Sequence, residues 1–250
     1  MKAEVLAIGS ELLGPLRTET NSLWLTERLL DAGIEVVTRA TLADDLSLLE
    51  SAFRGALSRA DVVIATGGLG PTKDDLTREA AAAALGRPLN RDEHILEALR
   101  KRFARLGRTM VKTNEQQADV IADAVVLPNP NGTAPGQKIE HEGRLLVLLP
   151  GPPGEMRPLF ETQVLPLLGE RTHGAVLRTR VLRIAGMPEG EIDQMVAPIY
   201  TAETNPRTTI LSAPGDISLH LTATAATAEE AEARIEALAT RMRQALPGLI

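Results

Sequence analysis

Ile64-Ala65-Thr66-Gly67-Gly68-Leu69-Gly70-Pro71-Thr72-Lys73-Asp74-Asp75-Leu76-Thr77 is the stretch that decides how this chain is read. The apolar run Val62 to Ala65 predicts a buried strand that ends at a Gly-Gly-x-Gly turn. Behind the turn, Asp74-Asp75-x-Thr77 leads into an alanine-rich predicted helix, Arg78 to Leu85. Paired glycines let the main chain adopt conformations closed to other residues and bring N–H groups close to a ligand. A helix starting just afterwards adds unpaired N–H groups and the positive end of its dipole. The combination suits a phosphate or another oxyanion, and the two aspartates suit a metal ion bridging to it. A plain glycine turn with an N-cap aspartate has the same spelling, so spacing alone leaves both readings open. The spacing matches neither the P-loop nor the dinucleotide fingerprint.

Upstream of this stretch, Glu4 to Ile8 is a short apolar strand ending at Gly9-Ser10-Glu11. Thr20-Asn21-Ser22 opens a helix with a buried stripe of Leu23, Trp24, Leu29 and Leu30. Ile34 to Thr38 is the next strand, and Asp44 or Asp45 caps a helix through Leu57. Strand and helix alternate at intervals of roughly 25–30 residues, the pattern of a parallel sheet with crossover helices. Ligands of such sheets gather at the carboxyl ends of the strands. Gly9-Ser10-Glu11, Asp44-Asp45 and Gly67-Gly68 all fall at those ends.

Downstream, Asp92 to Leu106 is a helix with a basic cluster that reads as a solvated face or as phosphate-holding charge. The amide-rich Lys112 to Gln117 suits either nucleotide recognition or a surface turn. Pro128 to Gly136 is a tight irregular loop between the strand Val125 to Leu127 and a hairpin, Gln137 to His141 with Leu145 to Leu149. Leu149-Pro150-Gly151-Pro152-Pro153-Gly154-Glu155-Met156 then forms a second strand–rigid turn–helix unit. Glu155 falls in the first helical turn, where it either satisfies the dipole or serves the site. Near Gly169 to Gly174 the pattern changes to β-α-β-β-α, a small α+β domain over 171–250 following a first domain over 1–170.

Composition excludes several classes. The net charge of −6 argues against a general nucleic-acid binder, and 2% aromatic content against base-stacking platforms. Residues 171–250 carry 8 basic and 9 acidic groups and lack the basic Gly-x-x-Gly clamp of a KH domain, so the small domain reads as an interface or linker. With no cysteine, disulfides and thiolate zinc sites are out, and the histidines (94, 141, 173 and 220) lack helical zinc spacing. No signal-peptide pattern opens the chain and no apolar stretch reaches the roughly 20 residues of a membrane span. The expectation is a cytoplasmic protein with no membrane or nucleic-acid partner. The apolar ending Leu246 to Ile250 reads as the start of a further segment of a larger protein.

Together these motifs resemble the amino-terminal region of the CinA (competence-damage-inducible protein A) family. The resemblance rests on Gly9 to Leu13, Thr20 to Leu25, Gly67 to Thr77, Asn129 to Gly136 and Leu149 to Met156, and covers essentially the whole chain. It implies a three-layer α/β/α molybdopterin-binding-like domain with a mostly parallel sheet, then the family's small central domain. It further implies a homodimer and metal-dependent cleavage of ADP-ribose to AMP and ribose 5-phosphate, with magnesium, manganese, cobalt or nickel and helped by potassium. A carboxy-terminal deamidase domain, frequent in the family, is not expected in these residues. The chain departs from the family at Pro15, where members carry glycine; the ring stiffens the loop and removes a donor.

On this reading the turn Gly67, Gly68 and Gly70, following Thr66, holds a phosphate. Asp44, Asp75 and Asp74 hold or orient the metal, which supplies an activated water. Lys73 neutralises charge on the diphosphate. Ser10 and Thr77 donate to phosphate oxygens, Asn21 and Asn114 meet ribose or base, and Gly9, Glu11, Gly151 and Pro152 complete the binding surface. Two other readings share the same residues: molybdopterin binding with adenylyl transfer, and a non-catalytic nucleotide-binding dimerisation module.

Overall fold

The structure, a computed structural model, describes residues 1–172, 174–213 and 216–249. The chain divides into two compact units, one of Met1–Leu30 with Ile34–Leu168 and one of Asp31–Gly33 with Gly169–Ile250.

The first unit is built on a six-stranded sheet. Its strands are β1 (Lys2–Ile8), β2 (Glu35–Leu42), β3 (Val62–Thr66), β6 (Val125–Leu127), β7 (Gly136–His141) and β8 (Arg144–Leu149). They lie in the order β2-β1-β3-β8-β7-β6. The first four in that order pair in parallel, and β7 and β6 add antiparallel at one edge. A separate antiparallel pair, β4 (Leu89–Arg91) with β5 (Asp119–Ile121), was not foreseen in the sequence because three-residue strands carry almost no periodicity.

Buried parallel strands are apolar on both faces, and β1, β3 and β8 are so: Leu6, Val63 and Leu146 point one way, Val5, Ile64 and Val147 the other, and all six are buried. The first face is covered by α2 (Leu46–Arg59), through Leu49 and Phe53, and by α3 (Thr77–Leu85), through its alanines. Those alanines let α3 lie close to the sheet. Remaining apolar stripes belong to α1 (Asn21–Asp31), where Leu25 and Leu29 are buried while Leu23, expected in the stripe, is 53% exposed, and to a long interrupted helix. That helix runs as α5 (Pro153–Leu159), a π-helical turn (Phe160–Val164) and α6 (Leu165–Arg171). Trp24 meets Phe160 edge to face at 5.7 Å, which joins α1 to it. The peripheral α4 (Glu93–Arg105) is capped by Asp92. Layers of helix, mostly parallel sheet and helix are the architecture expected.

The second unit is a three-stranded antiparallel sheet of β9 (Val176–Ile184), β10 (Arg207–Ala213) and β11 (Asp216–Ala225), in the order β10-β11-β9. Strict alternation along β11 buries Ile217, Leu219, Leu221, Ala223 and Ala225. These pack with α7 (Glu189–Tyr200) and α8 (Ala228–Ala245), the latter capped by Thr227.

Candidate functional site

Four parallel strands end on one side of the sheet, and a cavity of about 730 Å³ opens there. This is within the range of small-molecule sites. The segments after β1, β2, β3 and β8 all contribute to its wall.

The turn after β3 is shaped by contacts that only glycine permits. Gly67 and Gly68 have φ of 104° and 63°. A Cβ on Gly67 would collide with the Ile8 carbonyl, and one on Gly68 with the Thr77 hydroxyl. The Gly67 N–H donates to the Leu149 carbonyl at 3.0 Å, tying the turn to the end of β8. Asp75 closes the loop from behind: it accepts from Gly70 N at 2.7 Å and Thr72 N at 2.8 Å, and from the Thr72 hydroxyl. Thr77 donates its hydroxyl to the Gly67 carbonyl at 2.8 Å. Gln116 donates to the carbonyls of Gly70 at 3.1 Å and Thr72 at 2.8 Å.

Arg78 lies underneath, 1% exposed, donating to the Leu69 and Gly70 carbonyls. Burial lowers its guanidinium's hold on the proton, and Glu79, Asp75 and Asp119 oppose this. The Thr72 hydroxyl, and after it Asp74's own N–H, also hold the exposed Asp74 carboxyl below the usual range. One hydroxyl hydrogen serves Asp74 or Asp75 at a time; the hydrogen-bond geometry gives it to Asp75.

With Gly67 N and Gly70 N engaged, the N–H groups of Gly68 and Leu69 are the ones in the turn that meet no acceptor among the described residues. Both residues line the cavity.

Across from this turn, Asn21 donates to the Gly151 carbonyl at 2.7 Å and to Thr66 Oγ1 at 3.1 Å. Thr66 in turn donates to the Pro150 carbonyl at 2.9 Å. The start of α1 is thereby fastened to the ends of β3 and β8. Ser10 and Asp44 bind each other reciprocally: Ser10 N donates to Asp44 at 2.6 Å and Asp44 N to the Ser10 hydroxyl at 2.9 Å. Asp45, not Asp44, caps α2, and its bonds from Leu48 N and the Ser47 hydroxyl keep its pKa low. Asn129 donates to Glu155 at 2.7 Å and accepts from Asn131 N and Gly132 N, which shapes the loop beside the cavity.

Of the residues singled out in the sequence, Gly9, Glu11, Asn21, Asp44, Thr66, Gly67, Gly68, Gly70, Asp74, Asp75, Gly151 and Pro152 line this one cavity. Ser10, Lys73, Thr77 and Asn114 do not. The Thr77 hydroxyl is turned inward to the loop carbonyl, and Asn114 is buried against Gln117, to which it donates at 3.1 Å. Gln117 then holds Thr133 at 2.9 Å, so the amide cluster at 112–117 braces loops. Glu155 does line the cavity, as does Gln117 of the amide-rich stretch; Arg17, Glu19 and Thr133 join it without having been singled out as site residues. His173 lies outside the described residues.

The expected metal set does not assemble as a preformed cage. Among the described residues no three of His, Asp and Glu are gathered to hold an ion. Asp75 has both oxygens occupied by donors of its own loop, which places it as a clamp. Asp44 and Asp74 remain at the wall, and one or two carboxylates suffice for magnesium when substrate phosphates supply further ligands. No helix among the described residues is long and apolar enough to cross a membrane.

Comparison with known proteins agrees with this architecture. Residues 4–170 match the model of the probable molybdopterin binding domain. Residues 179–250 match the KH domain of damage-inducible protein CinA, so the kinship that the missing Gly-x-x-Gly clamp argued against is nonetheless present. A CinA-like protein of Solibacter usitatus is 48% identical over 239 residues, covering 96% of this chain and 58% of the relative. One from Koribacter versatilis is 47% identical over 250 residues, covering 98% and 60%. The chain thus spans about three fifths of the length of these relatives. The solved structure of CinA from Thermoplasma acidophilum, described as of unknown function, aligns with a TM-score of 0.61 at 33% identity, covering 64% of this chain and 95% of that one. With both domain models matched in order and relatives at this identity along its length, the chain belongs to the CinA family.

Proposed function

We propose that the cavity at the carboxyl ends of β1, β2, β3 and β8 binds a small phosphorylated heterocycle, a pterin or a nucleotide, through its phosphate. The observation that carries this reading is the pair of unengaged N–H groups on Gly68 and Leu69 at the cavity wall. Adjacent backbone donors held by glycine conformations and a buried cation make an anion site. The match to a molybdopterin binding domain supports a pterin as the heterocycle.

The test pairs each phosphorylated ligand with its dephosphorylated counterpart, AMP with adenosine and a hydroxymethylpterin monophosphate with its alcohol, in titration calorimetry. At least one phosphorylated member binds ten times more tightly or better than its partner. Equal affinity within both pairs, or no binding of either, rules the reading out.

A second reading, hydrolysis of a nucleotide diphosphate such as ADP-ribose, is favoured by Asp44 and Asp74 at the same wall. These two would hold a divalent ion arriving with the diphosphate, and that ion would supply Lewis acidity and an acidic bound water. The chain's own part is to fix one phosphate on Gly68 and Leu69. Incubation with ADP-ribose and magnesium, manganese, cobalt or nickel, with and without potassium, yields AMP and ribose 5-phosphate if this reading holds. Intact ADP-ribose beside tight pterin binding leaves the first reading alone.

A further inference from the structure

We propose that Arg17 is the cation that meets the ligand's anionic group in this cavity, the role that sequence spacing gives to Lys73. The inference rests on the phosphate reading above and adds to it the residue that decides the charge of the ligand. Its starting point is an imbalance. Among the described residues six carboxylates line the cavity, from Glu11, Glu19, Asp44, Asp74, Asp75 and Glu155, against one guanidinium, that of Arg17. An anion approaching Gly68 and Leu69 meets neutral donors set in a negative wall, and Coulomb repulsion from that wall opposes its approach. A mobile cation at the wall offsets it.

Other nearby cations are otherwise disposed. Arg78 is buried and aimed at the carbonyls of Leu69 and Gly70 from below the loop. Lys73 is exposed and is not part of the wall. Arg17 is exposed at the wall, and no hydrogen bond or ion pair ties it to a described residue. Elsewhere many arginines are paired, as Arg59 with Glu4 at 2.8 Å and Arg180 with Glu232 at 2.7 Å. An unpaired guanidinium beside six carboxylates is an available fork, and its planar donor pairs match a phosphate bidentately.

Structured segments flank Arg17 on both sides. A 3₁₀ turn, Ser10–Leu13, precedes it, and Pro15 restricts the chain two residues before it. On the other side Glu19 accepts from Ser22 N at 2.8 Å and closes the start of α1. The side chain is therefore long and exposed, on a short stretch between these two structured segments. Pro15, the departure from the family pattern, narrows the backbone two residues before this cation.

The experiment titrates AMP and hydroxymethylpterin monophosphate, with their dephosphorylated counterparts, into the wild-type chain, Arg17→Ala, Arg17→Lys and Lys73→Ala at low and high salt. Arg17→Ala weakens the phosphorylated ligand about ten- to a hundredfold and leaves the dephosphorylated one unchanged. It flattens the dependence of affinity on salt and does not move the thermal transition, since the side chain supports nothing. Arg17→Lys restores part of the affinity, and Lys73→Ala binds as the wild type does. Wild-type affinity and salt dependence in Arg17→Ala, or the same loss in Lys73→Ala, overturns the assignment. A wild-type chain that ignores the phosphate overturns the phosphate reading itself, a result distinguishable from the previous one.

Discussion

Two strand–turn–helix units stand side by side in the sheet, and their turns are held in opposite ways. Thr66, ending β3, is the register partner of Leu149, ending β8, so the two chains enter their turns together. After β3 the turn is made of glycines and is held from outside by the side chains of Asp75, Thr77, Arg78 and Gln116. After β8 the turn is Pro150-Gly151-Pro152-Pro153, with no side-chain cap on its helix, and pyrrolidine rings restrict it from within. The first turn exposes N–H groups and the second presents carbonyls, which Asn21 and Thr66 take up. A turn that exposes donors thus lies beside an acceptor-rich strut that fixes α1. The lesson is that polar residues near a ligand turn can exist to shape it.

The largest effect that separates the two turns is expected from a single methyl group. Gly67→Ala places a Cβ against the Ile8 carbonyl at a φ of 104°, and costs about 4 kcal/mol from backbone strain and overpacking. Gly151→Ala, whose Cβ would lie 3.4 Å from the Gly67 Cα, costs less than about 1 kcal/mol. Urea denaturation midpoints of the two variants check the contrast; equal losses would break it.

Next in size is Asp75→Ala, expected to cost about 3 kcal/mol because the N–H groups of Gly70 and Thr72 lose a charged acceptor. As a clamp, Asp75 acts on stability and on ligand affinity together. Asp75→Asn keeps a carbonyl oxygen in place and recovers part of both. Loss of diphosphate turnover in Asp75→Asn at unchanged stability and ligand affinity would instead make it a metal ligand. Gln116→Ala, which frees the carbonyls of Gly70 and Thr72, is expected to cost about 1 kcal/mol and to weaken phosphate binding severalfold.

These predictions also mark where the sequence is a good guide. The parallel sheet was legible because apolar strands, Val5 to Ile8 and Val62 to Ala65 among them, each end in a turn motif and are separated by helical periods; the parallel pairing of β8 with β3 was not, since β8 reads as the second strand of a hairpin. The convergence of Gly9, Asp44, Gly67 and Gly151 on one cavity follows from that topology. What each polar side chain does there was not legible. Asp75 and Asp44 are both aspartates after strands, yet one closes a loop with both oxygens and the other pairs with Ser10. Spacing gives residue type and position along the chain, and it cannot say which donor lies within 3 Å. Arg17 is illegible for the same reason: it sits between motifs, and only the folded wall shows it to be the basic side chain there. The amides at 114, 116 and 117 were noticed as a cluster, but bracing and recognition use the same chemical groups.

The smallest predicted effect tests the other half of the comparison. If rings hold the second turn from within, removing one acts mainly on the unfolded chain, which gains conformational freedom. Pro152 has φ of −59° and its carbonyl accepts from Glu155 N and Met156 N, each at 2.9 Å, and an alanine can do both. Pro152→Ala is therefore expected to lower stability by about 0.5 kcal/mol. The bonds from Asn21 to Gly151 and from Thr66 to Pro150 do not involve its ring, so the anchoring of α1 survives. Amide hydrogen exchange at the start of α1, read beside the denaturation midpoint, separates the cases. Unchanged protection with a small midpoint shift fits a turn restricted by its own backbone. Faster exchange there would mean that the ring braces the strut directly, and the two turns would then be held by contacts of the same kind.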